Sequence, residues 1–279
     1  MSQNSPKPLT QHEEANRDYW NEVTRPHMES DFYSVKEFLA GKTALYQWEI
    51  EDLGDVRGKS LLHLQCHFGL DTLSWAREGA IVTGVDIADV SVDTAREIAE
   101  KGGLKARFIC SNILDLPGPL AGETFDIVYS SRGALCWIRD LDRWAKIVAE
   151  LLNPGGFIYI HDTHPLFYLW QEEGPIPPFR VEGGYFHNDE PLKEEPSGHP
   201  DYAGGKYVPT RTTYEWRWTI ADLLNALIKA GLVIDELREE DGLYFEAWDG
   251  MVKGEDGLWR FPGEDNRVPM AIVVRAHNP

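Results

Sequence analysis

The sequence predicts an α/β fold built on a doubly wound, mostly parallel sheet of seven strands. Two observations lead to this prediction. Short apolar runs alternate with helical patterns through the middle of the chain, as the layers of such a sheet require. The stretch from Ser60 to Asp89 reads as a strand, a turn, a helix and a second strand that ends on an acidic residue. That arrangement binds a nucleoside-containing cofactor at the carboxyl edge of a parallel sheet.

The N-terminal part of the chain is predicted to be helical. The residues up to Thr10 are polar and include prolines, which indicates loose packing. Gly41 and Gly54 end the second and third of three helical patterns. The predicted helices are Gln11–Glu22, Val35–Leu39 and Leu45–Leu53.

Strands and helices alternate through the centre of the chain. Gly102, Gly103 and the turn of Pro154, Gly155 and Gly156 stop the helices that precede them. The predicted strands are Ser60–Leu64, Ala80–Asp86, Ala106–Cys110, Phe125–Ser130 and Phe157–Asp162. The predicted helices are Leu70–Gly79, Val90–Lys101 and Leu141–Leu152.

The alternation lapses between Pro165 and about residue 215. This segment is rich in glycine, proline and aromatic residues, and it is too long for a simple connecting loop in a compact domain. Because it follows the fifth strand, it is predicted to be an insertion that covers the carboxyl edge of the sheet. The chain then ends in a predicted helix, Trp218–Ala230, and two predicted strands, Leu232–Arg238 and Met270–Arg275.

The turn after the first strand is predicted to hold the cofactor. Its backbone N–H groups and the following helix N-terminus would face the cofactor, and the carboxylate of Asp86 would accept hydrogen bonds from ribose hydroxyls. Asp86 lies 17 residues after Gly69, near the roughly 20-residue spacing of such units. Gln65 and His67 stand where a full glycine fingerprint has two earlier glycines. We expect these residues to reshape the turn without abolishing it, because they can occupy it with allowed backbone angles.

Taken together, the strand ends resemble those of the class I S-adenosylmethionine-dependent methyltransferases of the small-molecule type. The most specific match is Leu151–Asp162, which contains the L-x-P-G-G turn that recurs before the fifth strand of that family. The other matching segments are Leu61–Gly69 for the cofactor turn, Val82–Asp86 for the ribose-binding strand end, Phe108–Asn112 with Ile113 for the adenine contact and Phe125–Ser131 for the fourth strand.

The resemblance implies a Rossmann-like class I methyltransferase fold with an antiparallel last strand. It also implies S-adenosylmethionine as cofactor, and methyl transfer to an oxygen or nitrogen atom of a small molecule. A helical lid would cover residues 1–57, and a methyltransferase domain would cover residues 58–279, with the substrate-covering insertion at about 165–215. The implied cofactor-binding residues are Tyr33, His63, Gln65, His67, Gly69, Asp86, Ile87, Asn112, Ile113 and Ser130.

Polar residues just after the fourth and fifth strands are the candidates for chemistry. His164 is the preferred general base if the acceptor must lose a proton, and Arg132 is the second catalytic candidate. A loop histidine without a catalytic role is the alternative for His164. Aromatic and histidine side chains of the lid, the strand ends and the insertion are candidates for contact with the acceptor, or else for an ordinary core. They are Trp20, His27, Trp137, Tyr168 and Tyr214.

No metal site is predicted. Asp162 and His164 alternate along an extended chain and could share an ion, but no third ligand is evident. The three cysteines have no C-x-x-C spacing, which is typical of reduced residues in a cytoplasmic protein.

The composition bears on partners and location. The formal net charge is −19 and no run of lysine or arginine occurs, so the surface repels phosphate backbones and a nucleic-acid substrate is disfavoured. No stretch approaches the ~20 apolar residues of a membrane span. We therefore expect a cytoplasmic enzyme, a monomer or a homodimer, that acts on a small molecule.

Two other functions remain open. A nicotinamide-dependent oxidoreductase would share the first strand–helix–strand unit, although the altered glycine turn and the L-x-P-G-G segment favour the methyltransferase. A non-catalytic module that only binds the cofactor would be compatible with Gln65 and His67 in the turn.

Overall fold

The computed structural model of this chain describes residues 8–170, 183–263 and 268–279. One seven-stranded sheet runs through it. The strands, numbered along the chain, are β1 (Ser60–Leu64), β2 (Ile81–Asp86), β3 (Arg107–Cys110), β4 (Phe125–Ser131), β5 (Leu152–Thr163), β6 (Leu192–Glu194), β7 (Thr213–Glu215), β8 (Val233–Glu240), β9 (Val252–Lys253), β10 (Trp259–Arg260) and β11 (Ala271–His277).

The large sheet has the strand order β3-β2-β1-β4-β5-β11-β8. β1 to β5 pair in parallel, whereas β11 lies between β5 and β8 and is antiparallel to both. The predicted α/β class, the doubly wound seven-stranded sheet and the antiparallel last strand are confirmed.

Helices pack on both faces of this sheet, while the first helix packs mainly on α5 and β7. The helices are α1 (Gln11–Glu29), α2 (Val35–Leu39), α3 (Gln47–Leu53), α4 (Leu70–Arg77), α5 (Asp89–Lys101), α6 (Leu141–Leu151) and α7 (Ile220–Lys229). Neighbouring residues of a strand point to opposite faces. Leu62 therefore joins the core beneath α6 and α7, whereas Leu61 joins the core on the other face, with Trp75 of α4. A strand buried on both faces carries a nearly continuous apolar run, and in β1 that run of leucines is interrupted only by the buried His63.

The first helix is longer than predicted. α1 begins with a capping box between Thr10 and Glu13 and continues through Pro26 to Glu29. The sequence predicted an end at Glu22, and a proline inside a helix, which removes one backbone hydrogen bond, disfavours the extra turns. Val23 and His27 are buried on either side of Pro26, so tertiary packing overrides the local preference.

Two segments cover the carboxyl edge of the sheet. The predicted insertion contains a short 3-10 helix at Pro165–Leu169 and the antiparallel ribbon of β6 and β7, while residues 171–182 lie outside the described residues. A second covering segment, which the sequence did not predict, lies between β8 and β11 and carries the ribbon of β9 and β10. Trp248 and Leu258 of this second segment pack with Phe167 in one apolar cluster. Among the described residues, no helix is both long and apolar enough to cross a membrane.

Candidate functional site

The turn between β1 and α4 has a backbone in the left-handed region. The angle φ is 55° at Gln65, 49° at His67 and 76° at Gly69. A Cβ atom at Gly69 would lie 2.7 Å from the ring of Phe108, so only glycine fits there. Gln65 and His67 adopt the glycine conformation with ordinary side chains, at a cost of about 1–3 kcal/mol each. The turn therefore keeps its shape without its first two glycines.

Asp86 ends β2 beside this turn. Its carboxylate accepts a hydrogen bond from the backbone N–H of His67 at 2.7 Å and another from that of Ala88 at 2.9 Å. Burial raises the pKa of the carboxyl to about 6, although the backbone N–H groups act in the opposite direction. The carboxylate is thus fixed in place, and it retains lone pairs for further donors.

A cleft of about 1480 Å³ opens above the carboxyl ends of β1, β2 and β4. Thirteen of the residues that the sequence singled out line it. They are Trp20, Tyr33, His63, Gln65, His67, Gly69, Asp86, Ile87, Asn112, Ile113, Arg132, Trp137 and Tyr168. The structure therefore brings together most of the implied cofactor residues, although their roles stay predictions.

The turn also offers a hydrogen-bond acceptor that a nucleoside cofactor could use. Gln65 donates its amide N–H to the carbonyl of Ala134 at 2.9 Å, while its Oε1 is buried and has no partner among the described residues. A buried oxygen of this kind can accept a hydrogen bond from a bound ligand.

Ser130 does not line the cleft. Its side chain is fully buried and faces the core, whereas that of the next residue, Ser131, lines the cleft. Successive side chains of a strand alternate in direction, so the sequence placed the cleft residue one position too early.

His164 also lies outside the lining of the cleft. Its Nε2 is 3.0 Å from Oε1 of Glu239 on β8, and its Nδ1 accepts the backbone N–H of Leu166. Burial is the main cause that lowers its pKa, and Glu239 acts against that effect. Because both ring nitrogens are engaged away from the cleft, the geometry gives His164 the place of a helix cap and does not support a general base.

Two of the predicted acceptor contacts lie elsewhere. His27 is buried behind the cleft wall, with Nε2 2.8 Å from Oδ2 of Asp201. The backbone of Tyr214 pairs with the side chain of Asn16, and its ring packs on His12. Neither side chain belongs to the lining of the cleft.

Arg132 is the centre of a buried charged cluster at one end of the cleft. Its guanidinium contacts the carboxylate of Asp71 and lies 3.8 Å from that of Glu49. Glu49 is fully buried and accepts the hydroxyl of Tyr129 at 2.6 Å. Burial raises the pKa of the Glu49 carboxyl, while the charge of Arg132 lowers it. Arg132 also has a positive φ of 52°, so a strained backbone aims this cation at the two acids.

His63 lies beside this cluster as a neutral ring. Burial lowers its pKa to about 4. Its Nδ1 is 2.8 Å from the hydroxyl of Thr72, and its Nε2 is 3.3 Å from that of Ser131. At neutral pH it can therefore orient Ser131 without carrying charge.

Asp162 shapes the loop after β4 and is no metal ligand here. Its carboxylate accepts the backbone N–H groups of Gly133, Ala134 and Leu135 at 2.8–2.9 Å. The carbonyl of Ala134 in turn accepts from Gln65. In the described parts of the chain, no group of three histidine, cysteine, aspartate or glutamate side chains is placed to hold a metal ion.

Several residues of the cleft were missed by the sequence reasoning. Asp71 follows the cofactor turn directly, so its position at the start of α4 could have identified it. Tyr244 belongs to an aromatic stretch between the last two strands, which was the available signal for the second covering segment. The missed residues that line the cleft include Tyr19, Tyr46, Asp71, Asp201, Tyr202 and Tyr244.

Comparisons with known proteins agree with this geometry. Residues 62–160 match a family model described as a methyltransferase domain. Over 110 residues the chain is 34% identical to a ubiquinone biosynthesis O-methyltransferase of Coxiella burnetii. The aligned residues make up 39% of this chain and 46% of that protein. Over 113 residues it is 29% identical to the protein of the same name from Bordetella avium, covering 40% and 46%. The chain thus spans about half the length of the curated relatives it matches.

Solved structures extend the likeness over the whole fold. An S-adenosylmethionine-dependent methyltransferase from Mesorhizobium loti is 23% identical, with a TM-score of 0.57 over 86% of this chain and 99% of that one. A magnesium protoporphyrin IX methyltransferase from Synechocystis, solved with S-adenosylhomocysteine, is 15% identical, with a TM-score of 0.54 over 96% of this chain and 100% of that one. At these identities the solved structures establish the fold alone.

Proposed function

We propose that this chain, which belongs to the class I S-adenosylmethionine-dependent methyltransferases, transfers the methyl group of S-adenosylmethionine to an oxygen or nitrogen atom of a small molecule. The observation that carries the proposal is the conjunction of the left-handed turn at Gln65–Gly69 with the fixed carboxylate of Asp86 at one edge of the cleft. The names of the curated relatives support an O-methylated acceptor.

The bound cofactor would supply a methyl group that is already activated on a sulfonium. The residues of this chain then have to bind, orient and exclude water. Asp86 would accept the ribose hydroxyls, Ile87 and Ile113 would flank the adenine, and the orphan Oε1 of Gln65 would accept a donor from the cofactor.

The acceptor would lie under the two covering segments. Rings of Trp20, Trp137 and Tyr168 line the cleft there, and Trp20 meets Trp137 edge to face at 5.4 Å. A wall of this kind buries an organic molecule, whereas it offers a polyanion little to bind. We also propose that residues 8–57 act as the lid, and that the protein is a cytoplasmic monomer or homodimer that does not use nucleic acid.

Calorimetric titration tests the proposed cofactor. We expect S-adenosylmethionine and S-adenosylhomocysteine to bind, and nicotinamide dinucleotides not to bind at comparable strength. The reason is that the turn and Asp86 lie within residues 62–160, which match the methyltransferase domain model. Tight dinucleotide binding without sulfonium binding would instead support the oxidoreductase. Screening pools of small molecules for products heavier by one methylene would then separate an enzyme from a non-catalytic binding module.

The pH dependence of cofactor binding follows from Asp86. Its pKa is raised to about 6, and only the ionised carboxylate accepts both ribose hydroxyls. Affinity should therefore be constant above that pH and fall as the pH drops through it, by at most about tenfold per pH unit. Titrations on both sides of this pH would show it. In Asp86→Asn the affinity should be lower and independent of pH in this range, and an unchanged pH dependence in that variant would assign the effect to another group.

A further inference from the structure

His67 has a side chain that the cofactor turn does not require. At this position the backbone favours glycine, yet the imidazole makes specific contacts on both sides. Its Nδ1 is 3.1 Å from the hydroxyl of Ser91 on α5, and its Nε2 is 3.3 Å from Nδ1 of His27 on α1. His27 in turn reaches the carboxylate of Asp201 in the insertion at 2.8 Å. Two histidines thus join the cofactor turn to the insertion.

The other end of this chain of contacts is buried. The hydroxyl of Ser91 is 2.6 Å from that of Thr24, which donates to the carbonyl of Trp20 at 2.6 Å. Ser91 and Thr24 are fully buried, and His27 is 2% exposed. Buried polar groups must find their hydrogen-bond partners within the protein. The protons available to this series of contacts can therefore be counted.

The series of hydrogen bonds from the carbonyl of Trp20 to the carboxylate of Asp201 has five contacts, and each contact needs one proton. The carbonyl and the carboxylate at its two ends can only accept. Thr24 and Ser91 each supply one proton, and each neutral imidazole supplies one. Two neutral histidines therefore leave one contact without a proton. A second proton on His27 completes all five contacts and places an imidazolium against the carboxylate of Asp201. This assignment of tautomers follows from the count of donors and acceptors.

The surroundings agree with a charged His27 and a neutral His67. The pKa of His67 is well below its ordinary value, first because the ring is buried and second because of the charge on His27. Burial acts to raise the pKa of Asp201, but the hydrogen bond and charge of His27 outweigh it and the pKa is lowered. Tyr19 also donates its hydroxyl to Asp201 at 3.1 Å. The rings of Tyr33, Tyr202 and Trp20 also face His27, at 5.3, 5.4 and 6.1 Å.

We propose that His27, His67 and Asp201 form a latch, in which a protonated His27 fastens the insertion to the cofactor turn. His67 is then a positioning residue, since it links the turn to the cover of the acceptor cleft. The inference rests on the proposed function, because it assumes that the turn holds the cofactor. A cofactor that orders the turn would favour the closed insertion, and by reciprocity the closed insertion would favour the cofactor.

Hydrogen exchange of the backbone amides at residues 201–207 tests the latch. The amide of Ala203 donates to Asp201 at 3.1 Å and reports the state of that carboxylate directly. We expect S-adenosylhomocysteine to slow this exchange by about tenfold or more in the native protein. In His67→Gly, which keeps the backbone at φ 49° favourable, the slowing should be lost at an S-adenosylhomocysteine concentration that saturates the variant, with its affinity titrated separately.

His67→Asn is the second variant, because asparagine also tolerates the left-handed region but cannot span the same contacts. A matched control is His277→Gln, which removes a histidine–aspartate pair of 2.7 Å at the opposite edge of the sheet. Equal slowing in the native protein and in a folded His67 variant would overturn the latch.

A second measurement needs no ligand. Asp201→Asn removes the carboxylate that accepts from His27, so the protection of the same amides in the free protein should be lower than in the native protein. His277→Gln should leave that protection unchanged. Native-like protection in a folded Asp201→Asn protein would refute the latch. Absence of S-adenosylhomocysteine binding would refute the proposed cofactor and leave this measurement to decide the latch.

Discussion

Asp86→Ala is expected to weaken the binding of S-adenosylmethionine by about tenfold to a hundredfold. Charge-assisted hydrogen bonds contribute about 1.5–3 kcal/mol, which corresponds to that range of affinity. Asp86 is placed for this role because the backbone N–H groups of His67 and Ala88 fix its carboxylate at the end of β2. Calorimetric titration of the variant measures the loss.

The same two N–H groups lose their acceptor in Asp86→Ala, so part of the effect could arise from a disturbed turn. Asp86→Asn keeps one acceptor oxygen but turns its NH2 group toward the N–H that the other carboxylate oxygen accepted, so it should bind the cofactor weakly with a melting temperature less disturbed than that of Asp86→Ala. Asp93→Ala is a control on α5, because that carboxylate is exposed and its ion pair within the described part of the chain is with Arg96. Native affinity in a folded Asp86→Asn protein would remove Asp86 from the site.

Arg132→Ala is expected to lower the free energy of unfolding by about 3–5 kcal/mol. The substitution leaves the carboxylates of Asp71 and Glu49 near each other without their cation, and Glu49 is fully buried. Denaturant unfolding measures the loss. Lys229→Ala removes an exposed partner of Asp142 instead, and a pair of that kind contributes only about 0–1 kcal/mol.

The loss in Arg132→Ala should depend on pH. Burial already raises the pKa of the Glu49 carboxyl in the native protein, and removing Arg132 raises it further. The folded variant then binds more protons than the unfolded chain at pH values above about 4.3, the ordinary pKa of glutamate. Stability therefore falls as the pH rises through this range, and the deficit is smallest in acid. A deficit that is the same in acid and at neutral pH would show that Glu49 does not carry it.

Much of the fold could be predicted from local pattern. β1 has the predicted bounds, and its leucines at successive and alternate positions indicate burial on both faces. The position of Asp86 at the end of β2 could be predicted, because the acidic residue follows the apolar residues of that strand directly in the sequence. The end of α1 could not be predicted, because the burial of Val23 and His27 outweighs the local preference of Pro26.

The sequence by itself determined the class of the fold, the cofactor turn with its acidic strand end, and the side of the sheet on which the cleft lies. These features depend on periodicity and on spacings of a few residues. Ser130 shows the limit of such reasoning, because a shift of one residue along a strand moves a side chain to the other face.

Only the tertiary structure decided which histidine and which charges face which partner. His164 is removed from the cleft by Glu239, 75 positions further along the chain, and His27 meets Asp201 across 174 positions. Arg132 gains its role from Glu49 and Asp71, which come from α3 and α4. Such contacts have no local signature, because they depend on packing between elements that are far apart along the chain. Tertiary contacts also hold Gln65 and His67 in a backbone conformation that glycine usually adopts, so the turn keeps its shape with these residues.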